Sequence, residues 1–306
     1  MADRHVIICG TSKAATTSVF EYLSDHHEVC GSYIKQTNYF LDKEVQKKFG
    51  LDSIYPYKEN PEQYLQFFSH EDHSNKKVLL EASPDYMYFE DTAKKIKKFS
   101  GSREVKLVFL LRDPVTRMKS WFNFGKQQNL LDEKADFNTF YKQSKLYKDK
   151  ANLCLMAYET GFYSTYLPVY FDLFGHKNVN IYFFEELNHD PKAFMQQLCR
   201  DLDIDENFYT DYGFDYHNET IKIKSKAIAN VYDNLRSFYL RKLYKGPIGI
   251  AIGGIIKNTI SPIYKLINSG KLTKPEFDEE SIGLLKQDYK SENDRLQQLL
   301  KKKLPW

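Results

Sequence analysis

Four short apolar runs, His5 to Cys9, Lys77 to Leu80, Val105 to Leu111 and Val179 to Phe184, are each followed by a segment with helical periodicity. That alternation predicts a parallel sheet covered by helices, because parallel strands need long crossovers and both faces of the sheet must be buried. The helical candidates are Thr16 to Ser24, Thr92 to Phe99, Val115 to Lys126, Gly161 to Phe174 and Pro191 to Leu202. Pro114 and Pro191 stand where a first helical turn tolerates proline. From about Ile221 the strand signals stop, and Ser225 to Lys242, a Gly-broken apolar piece from Pro247 to Ile267, and Asp278 to Lys302 read as helices. The expectation is one domain over 1–306, with a three-layer α/β/α core over 1–220 and a helical C-terminal extension over 221–306.

Charge narrows the function classes. Lys+Arg (44) nearly balances Asp+Glu (41), so the net +3 argues against coating nucleic acid by charge alone while leaving room for a local anion site. A chain that is 42% hydrophobic and 28% charged is not mainly disordered, and its 23 Tyr and 22 Phe must fill a core or line a cleft. Cys9, Cys30, Cys154 and Cys199 form no CxxC pair, which gives neither a zinc signature nor a disulfide framework and points to a reducing, cytoplasmic setting. The N-terminal apolar run is too short for a signal-peptide core. Pro247 to Ile256 is half the ~20 residues that span a bilayer.

The first run passes straight into Gly10-Thr11-Ser12-Lys13-Ala14-Ala15-Thr16-Thr17-Ser18 and an amphipathic helix. Strand, loop and helix N-terminus in that order offer backbone N–H groups and a positive dipole end to a phosphate. The loop departs from the GxxxxGK[ST] pattern of nucleoside triphosphatases, since Ala15 is no glycine and Lys13 precedes the hydroxyl cluster by three residues. An ordinary cap by the Thr and Ser cluster is the plainer reading, and it leaves Lys13 unexplained. The third run ends at Arg112, on the strand edge where open α/β sheets bind ligands, and Ser120 follows on the next helix. Together they suit a second phosphate. The plainer reading is an Arg112–Asp113 ion pair with Ser120 on the surface.

These two segments, Lys13 to Ser18 and Arg112 to Gly125, resemble the KxGTTS-like and RxPxxRxxSxFxxG-like motifs of sulfotransferases that use 3′-phosphoadenosine 5′-phosphosulfate (PAPS). Tyr33 to Phe40 is similar to the family's KExHFF stretch, Glu81 to Tyr86 to its EKSPxY stretch, and Glu185 to Pro191 to its ExLxxxP stretch. Tyr289 to Trp306 looks like the closing helix and tryptophan of bacterial members, and the branch most resembled is the glycan-modifying one. The resemblance is weakest between about 240 and 275. It implies a P-loop-like fold, PAPS as donor without a metal, and an acceptor hydroxyl on a glycan, a glycolipid or a lipid alcohol, with no nucleic acid as partner.

By the same resemblance Lys13, Ala14, Ala15, Thr16, Thr17 and Ser18 hold the 5′-phosphosulfate, Arg112 and Ser120 hold the 3′-phosphate, and a late loop touches that phosphate or the adenine, for which Lys224-Ser225-Lys226 in the basic run from Lys222 is the candidate, a solvated helix start being the competing reading. Lys13 and Lys35 join the catalytic set. Glycan-modifying relatives carry Glu after the lysine of the KExHFF stretch, whereas this chain has Gln36, an amide without useful proton affinity. Glu81 is the first choice of base, and a purely structural carboxylate is the competing reading. His26-His27 are expected to face solvent, and His70-Glu71-Asp72-His73 lacks HExxH spacing, so no metal site is expected.

The apolar segment 247–267 is flanked by Lys242, Lys245, Lys257, Lys265 and Lys271, and Gly246, Gly249, Gly253 and Gly254 argue against a rigid helix. Core packing, a lid over an apolar acceptor and a peripheral contact with an anionic membrane are its three readings. Two other function classes compete with sulfuryl transfer. A nucleotide kinase-like phosphoryl transferase needs Mg²⁺, ATP and a lysine beside its Ser/Thr, a spacing Lys13 lacks. A non-catalytic module binding a 3′-phosphoadenosine nucleotide or a membrane surface needs no base, which the amide at Gln36 would suit. The sequence carries no signal for oligomeric state.

Overall fold

The computed structural model describes residues 4–48, 60–70, 74–132, 134–150, 152–214, 222–242, 252–253, 255–270 and 276–306. Its centre is a five-stranded, all-parallel sheet of β1 (Arg4–Gly10), β2 (Val29–Gly31), β3 (Val78–Ala82), β4 (Glu104–Leu111) and β5 (Val179–Phe183), in the order β2-β3-β1-β4-β5. Val6, Ile7 and Ile8 are all fully buried, as covering both faces requires. Ile7 and Cys9 point into one apolar core and Val6 and Ile8 into the other, following the two-residue period of a strand. Four of the strands coincide with the apolar runs. β2 was not anticipated, since three residues at a sheet edge carry no period.

Helices α1 (Thr16–Ser24), α4 (Glu90–Ser100), α5 (Pro114–Gln127), α7 (Tyr163–Phe174) and α9 (Pro191–Leu202) follow the strands much as the periodicity predicts, with α2 (Lys43–Lys48), α3 (Pro61–Leu65), α6 (Phe137–Leu146) and α8 (Phe184–His189) between them. α5 starts on Asp113, whose carboxylate accepts from Val115 N (3.2 Å) and Thr116 N (3.0 Å). The chain crosses from β1 towards β2 and β3 on one side and from β4 towards β5 on the other. The crevice of this fold therefore opens at the carboxyl ends of β1 and β4.

Among the described residues the C-terminal third departs from the expectation in one place. It holds one short antiparallel pairing, β6 (Lys222–Ile223) with β7 (Ser269–Gly270). The apolar piece is helical in its described part: a π-helical turn, Ile256–Ile260, runs directly into the helix Ser261–Asn268 despite the glycines before it. Residues 247–251 and 254 of that piece lie outside the described residues. The closing helix, Glu279–Leu300, packs on α5, α6 and α7 and buries Leu285, Tyr289 and Leu296. Gly161 permits this docking, because a Cβ there would sit 2.4 Å from the Tyr289 hydroxyl. Among the described residues no helix is long and apolar enough to cross a membrane.

Candidate active site

The loop after β1 and the start of α5 face each other across the crevice. Gly10 ends β1 where a Cβ would lie 2.8 Å from Met87 Sδ and 3.0 Å from a Phe109 ring carbon. Lys13 (φ 73°) and Ala15 (φ 62°) adopt the left-handed conformation that glycine usually takes, so the loop keeps a glycine-like course without glycines. Ala15 occupies the N-cap of α1 and makes no side-chain cap bond. The Thr16, Thr17 and Ser18 cluster is therefore not a cap, and the first-turn N–H groups of α1 stay open to an anion.

Two arginines hold the loop. Arg112 Nη1 donates to the Lys13 carbonyl (3.0 Å), its guanidinium lies 4.1 Å from the Phe184 ring centre, and its buried Nε has no hydrogen-bond partner. Asp113 is committed to the α5 cap, and no Arg112–Asp113 ion pair forms among the described residues. Arg117 is fully buried; its Nε donates to Ser12 O (2.9 Å) and its Nη2 to the Tyr88 hydroxyl (2.8 Å) and Thr160 Oγ1 (2.9 Å). One face of α5 thus presents Arg117, Trp121 and Phe124 to the loop, with Lys13 Nζ 4.2 Å from the Phe124 ring centre. Ser120 shares that face by helical spacing and is half-buried.

The electrostatics mark the crevice as a place for anions. Burial, with Arg112 and Arg117 beside it, pushes the Lys13 ammonium down to about 8, and no carboxylate pairs with it among the described residues. Lys35 is also pushed down to about 8, chiefly by burial, and its Nζ lies 3.5 Å from Thr16 Oγ1. Burial likewise lowers Arg112. Several cations crowded around an open helix N-terminus, one with an orphaned buried N–H, fit a donor that carries a phosphosulfate and a separate phosphate.

On the Lys35 side the two carboxylates differ. Glu81 is fully buried, accepts from Thr37 Oγ1 (2.5 Å) and Ser83 Oγ (3.0 Å) through Oε2, and is pushed up to about 7 by desolvation. Asp85 is partly exposed, and accepts from Ser12 Oγ (2.6 Å) on Oδ1 and from Gln36 Nε2 (3.0 Å) on Oδ2. Burial raises it, against the pull of Ser12, Lys35 and Gln36. Sequence reasoning passed over Asp85 because it stands at the open position of the Glu81 to Tyr86 stretch. The available signal was a carboxylate two residues past a strand-end serine.

The remaining candidates lie further out. β6 rests against α5, and just beyond it Lys224 is exposed and Ser225 N donates to Asn268 Oδ1 (2.8 Å); neither bonds to the loop or to Arg112. Lys226 begins the next helix, its side chain outside the described residues, as are 217–220 and Glu71 to His73. His26, expected at the surface, is buried: Nε2 bonds the Asp205 carbonyl (2.8 Å) and Nδ1 accepts from Glu28 N (3.1 Å), which orders the end of α1. His26, His27 and Glu28 do cluster, but both ring nitrogens of His26 are committed to these bonds.

Comparison with known proteins agrees with this architecture. The sulfotransferase domain family matches residues 3–302. A crystallised sulfotransferase from Alicyclobacillus acidocaldarius shares the fold, with a TM-score of 0.55 at 20% identity over 77% of this chain and 92% of that one. Another, from Mycobacterium avium, covers 94% of this chain and 76% of its own at 12% identity, with a TM-score of 0.43. The membrane-associated sulfotransferase kil1 of Dictyostelium discoideum is 31% identical over 121 residues, 40% of this chain and 23% of that relative's length. Matched almost end to end and built on the same fold, the chain belongs to the sulfotransferase domain family.

Proposed function

We propose that the protein transfers a sulfuryl group from PAPS to an acceptor hydroxyl of a carbohydrate or glycolipid. The observation that carries the donor reading is the Lys13 ammonium, unpaired among the described residues and crowded by Arg112 and Arg117 at the uncapped start of α1. Thr16, Thr17, Ser18 and the first N–H groups of α1 hold the 5′-phosphate. Arg112 and Ser120 grip the 3′-phosphate, with Lys224 to Lys226 at its outer edge. Lys13 offsets the charge that develops on the bridging oxygen as its bond to sulfur breaks, and Lys35 orients the transferring group.

The acceptor proton must leave as its oxygen bonds to sulfur. We assign that proton to Asp85 rather than Glu81, because Asp85 is partly open to solvent and bonded to both Ser12 and Gln36, whereas Glu81 is sealed behind Thr37 and Ser83. The amide of Gln36 then positions the carboxylate instead of acting as base. The carbohydrate acceptor rests on the likeness of Tyr33 to Phe40 to glycan-modifying members.

Thermal shifts with 3′-phosphoadenosine 5′-phosphate, AMP and ATP-Mg²⁺ test the donor site. Stabilisation several degrees larger for the bisphosphate is the expected result; equal stabilisation by AMP would remove the roles of Arg112 and Ser120. Sulfate transfer from labelled PAPS across glycans, sterols and phenols then tests the acceptor. Asp85→Asn should lower turnover by about a hundredfold or more with bisphosphate affinity retained, and unchanged turnover would return the base to another residue.

A further inference from the structure

Two described helical limbs, residues 226–242 and 256–268, lie against each other. α10 (Lys226–Lys242) carries Ile228, Val231, Leu235 and Phe238 at a three-four-three spacing, which on a globular helix faces the core. Here the stripe faces solvent, with Val231 69% and Phe238 55% exposed. The returning helix adds Leu266 (81% exposed) and Ile267 (56%). The limbs meet elsewhere: Tyr232 stacks on Tyr264 (4.2 Å, 9°), and its hydroxyl bonds Ser261 Oγ (2.7 Å). The base is closed by Lys224 N to Asn268 O (3.0 Å) and by Ser225 N to Asn268 Oδ1 (2.8 Å).

Charge identifies what covers the stripe. Residues 221–271 hold ten Lys and Arg against one Asp, a net +9 in a chain whose total is only +3. A second copy would bring the same +9 against it. A nucleic acid would leave the aliphatic side chains without a stacking or apolar partner. We propose that these two helical limbs lie on an anionic bilayer surface, their apolar stripe at the headgroup–acyl boundary and the basic residues of 221–271 among the lipid phosphates. The contact is made by α10 together with the helix Ser261–Asn268, and it requires no membrane span.

The test uses the full chain and vesicles of phosphatidylcholine, with and without phosphatidylserine, read by co-sedimentation. Partitioning into the serine-containing vesicles should be at least about tenfold stronger and should weaken as salt rises. Phe238→Ser combined with Leu266→Ser should lose about tenfold or more of that binding while melting temperature and bisphosphate affinity stay unchanged. Equal partitioning into both vesicle types, or into neither, overturns the proposal. So does tighter binding to duplex DNA, or self-association that the double variant abolishes. Since no readout needs turnover, failure here is separable from failure of the sulfotransferase reading.

Discussion

Lys13 combines a left-handed backbone, a ring contact with Phe124 and an ammonium without a counter-charge among the described residues. Its pKa of about 8 lies below the ordinary 10.5, so the unfolded chain binds that proton more tightly and the free protein gains stability as pH rises from 8 towards 10.5. Donor binding has the opposite sense. Phosphate oxygens beside Lys13 and Lys35 restore their protons, so affinity for 3′-phosphoadenosine 5′-phosphate should fall as pH climbs above 8. Calorimetry at about pH 8.5 in buffers of different ionisation heat should register uptake of about one proton on binding, reduced in Lys13→Met. The same variant should lose about a hundredfold in turnover and about tenfold in bisphosphate affinity, because the charge it offsets grows in the transition state. Of the residues proposed for the site, Lys13, Arg112 and Ser120 can be picked out from spacing along the sequence. The proposed base, Asp85, cannot be picked out that way, since the reading rests on Ser12 and Gln36, residues 73 and 49 positions away that only folding brings to it.

At the scale of elements, Arg117 ties α5 to the β1 loop and to the segment after α6. Arg117→Ala would leave Ser12 O, the Tyr88 hydroxyl and Thr160 without it, an expected loss of about 3–5 kcal/mol by chemical denaturation. Arg117→Lys should recover only part of that, because an ammonium cannot reproduce the planar fork. Glu81 joins β3 to the Thr37 turn. Its carboxyl, pushed up to about 7 from 4.5, favours the folded state below 4.5, and that contribution is lost as pH rises through 7. Glu81→Gln should flatten stability across that window by about 3 kcal/mol and leave turnover nearly unchanged, a direct contrast with Asp85→Asn. The four long strands were readable because burial on both faces makes them continuous apolar runs. Val29–Gly31 gained strand structure only by lying beside β3.

For the whole molecule, the C-terminal third divides into two parts of different consequence. The closing helix completes the main core: Tyr289 donates to the Tyr158 carbonyl (2.7 Å), Glu292 accepts from Ser164 N and Oγ (2.7 Å each), and the Trp306 ring meets Phe183. Ending the chain before Glu279 would remove Ile282, Leu285, Tyr289 and Leu296 from the core and bare the faces of α5, α6 and α7 that they cover, a loss of about 1.5–3 kcal/mol for each buried side chain, comparable with the total stability of a domain. No folded soluble protein is expected from that truncation. The stretch between Ser225 and Asn268 should be dispensable for folding, because its two ends already meet through Asn268. Replacing 229–265 with a short Gly-Ser linker should hold the melting temperature within about 4 °C and keep bisphosphate binding, as calorimetry and thermal shift would report.

The sequence by itself determined the α/β class, the loop at Lys13, the arginine at the end of β4 and the helical character of the C-terminal third. Each is written in local periodicity or in residues adjacent along one segment. Tertiary structure alone decided that Glu81 is sealed while Asp85 meets Ser12 and Gln36, that Arg117 locks the loop, that His26 is buried, and that the apolar faces of 226–242 and 261–268 lie outward. Those depend on which distant segments meet, and a helical period specifies an apolar face without specifying what lies against it.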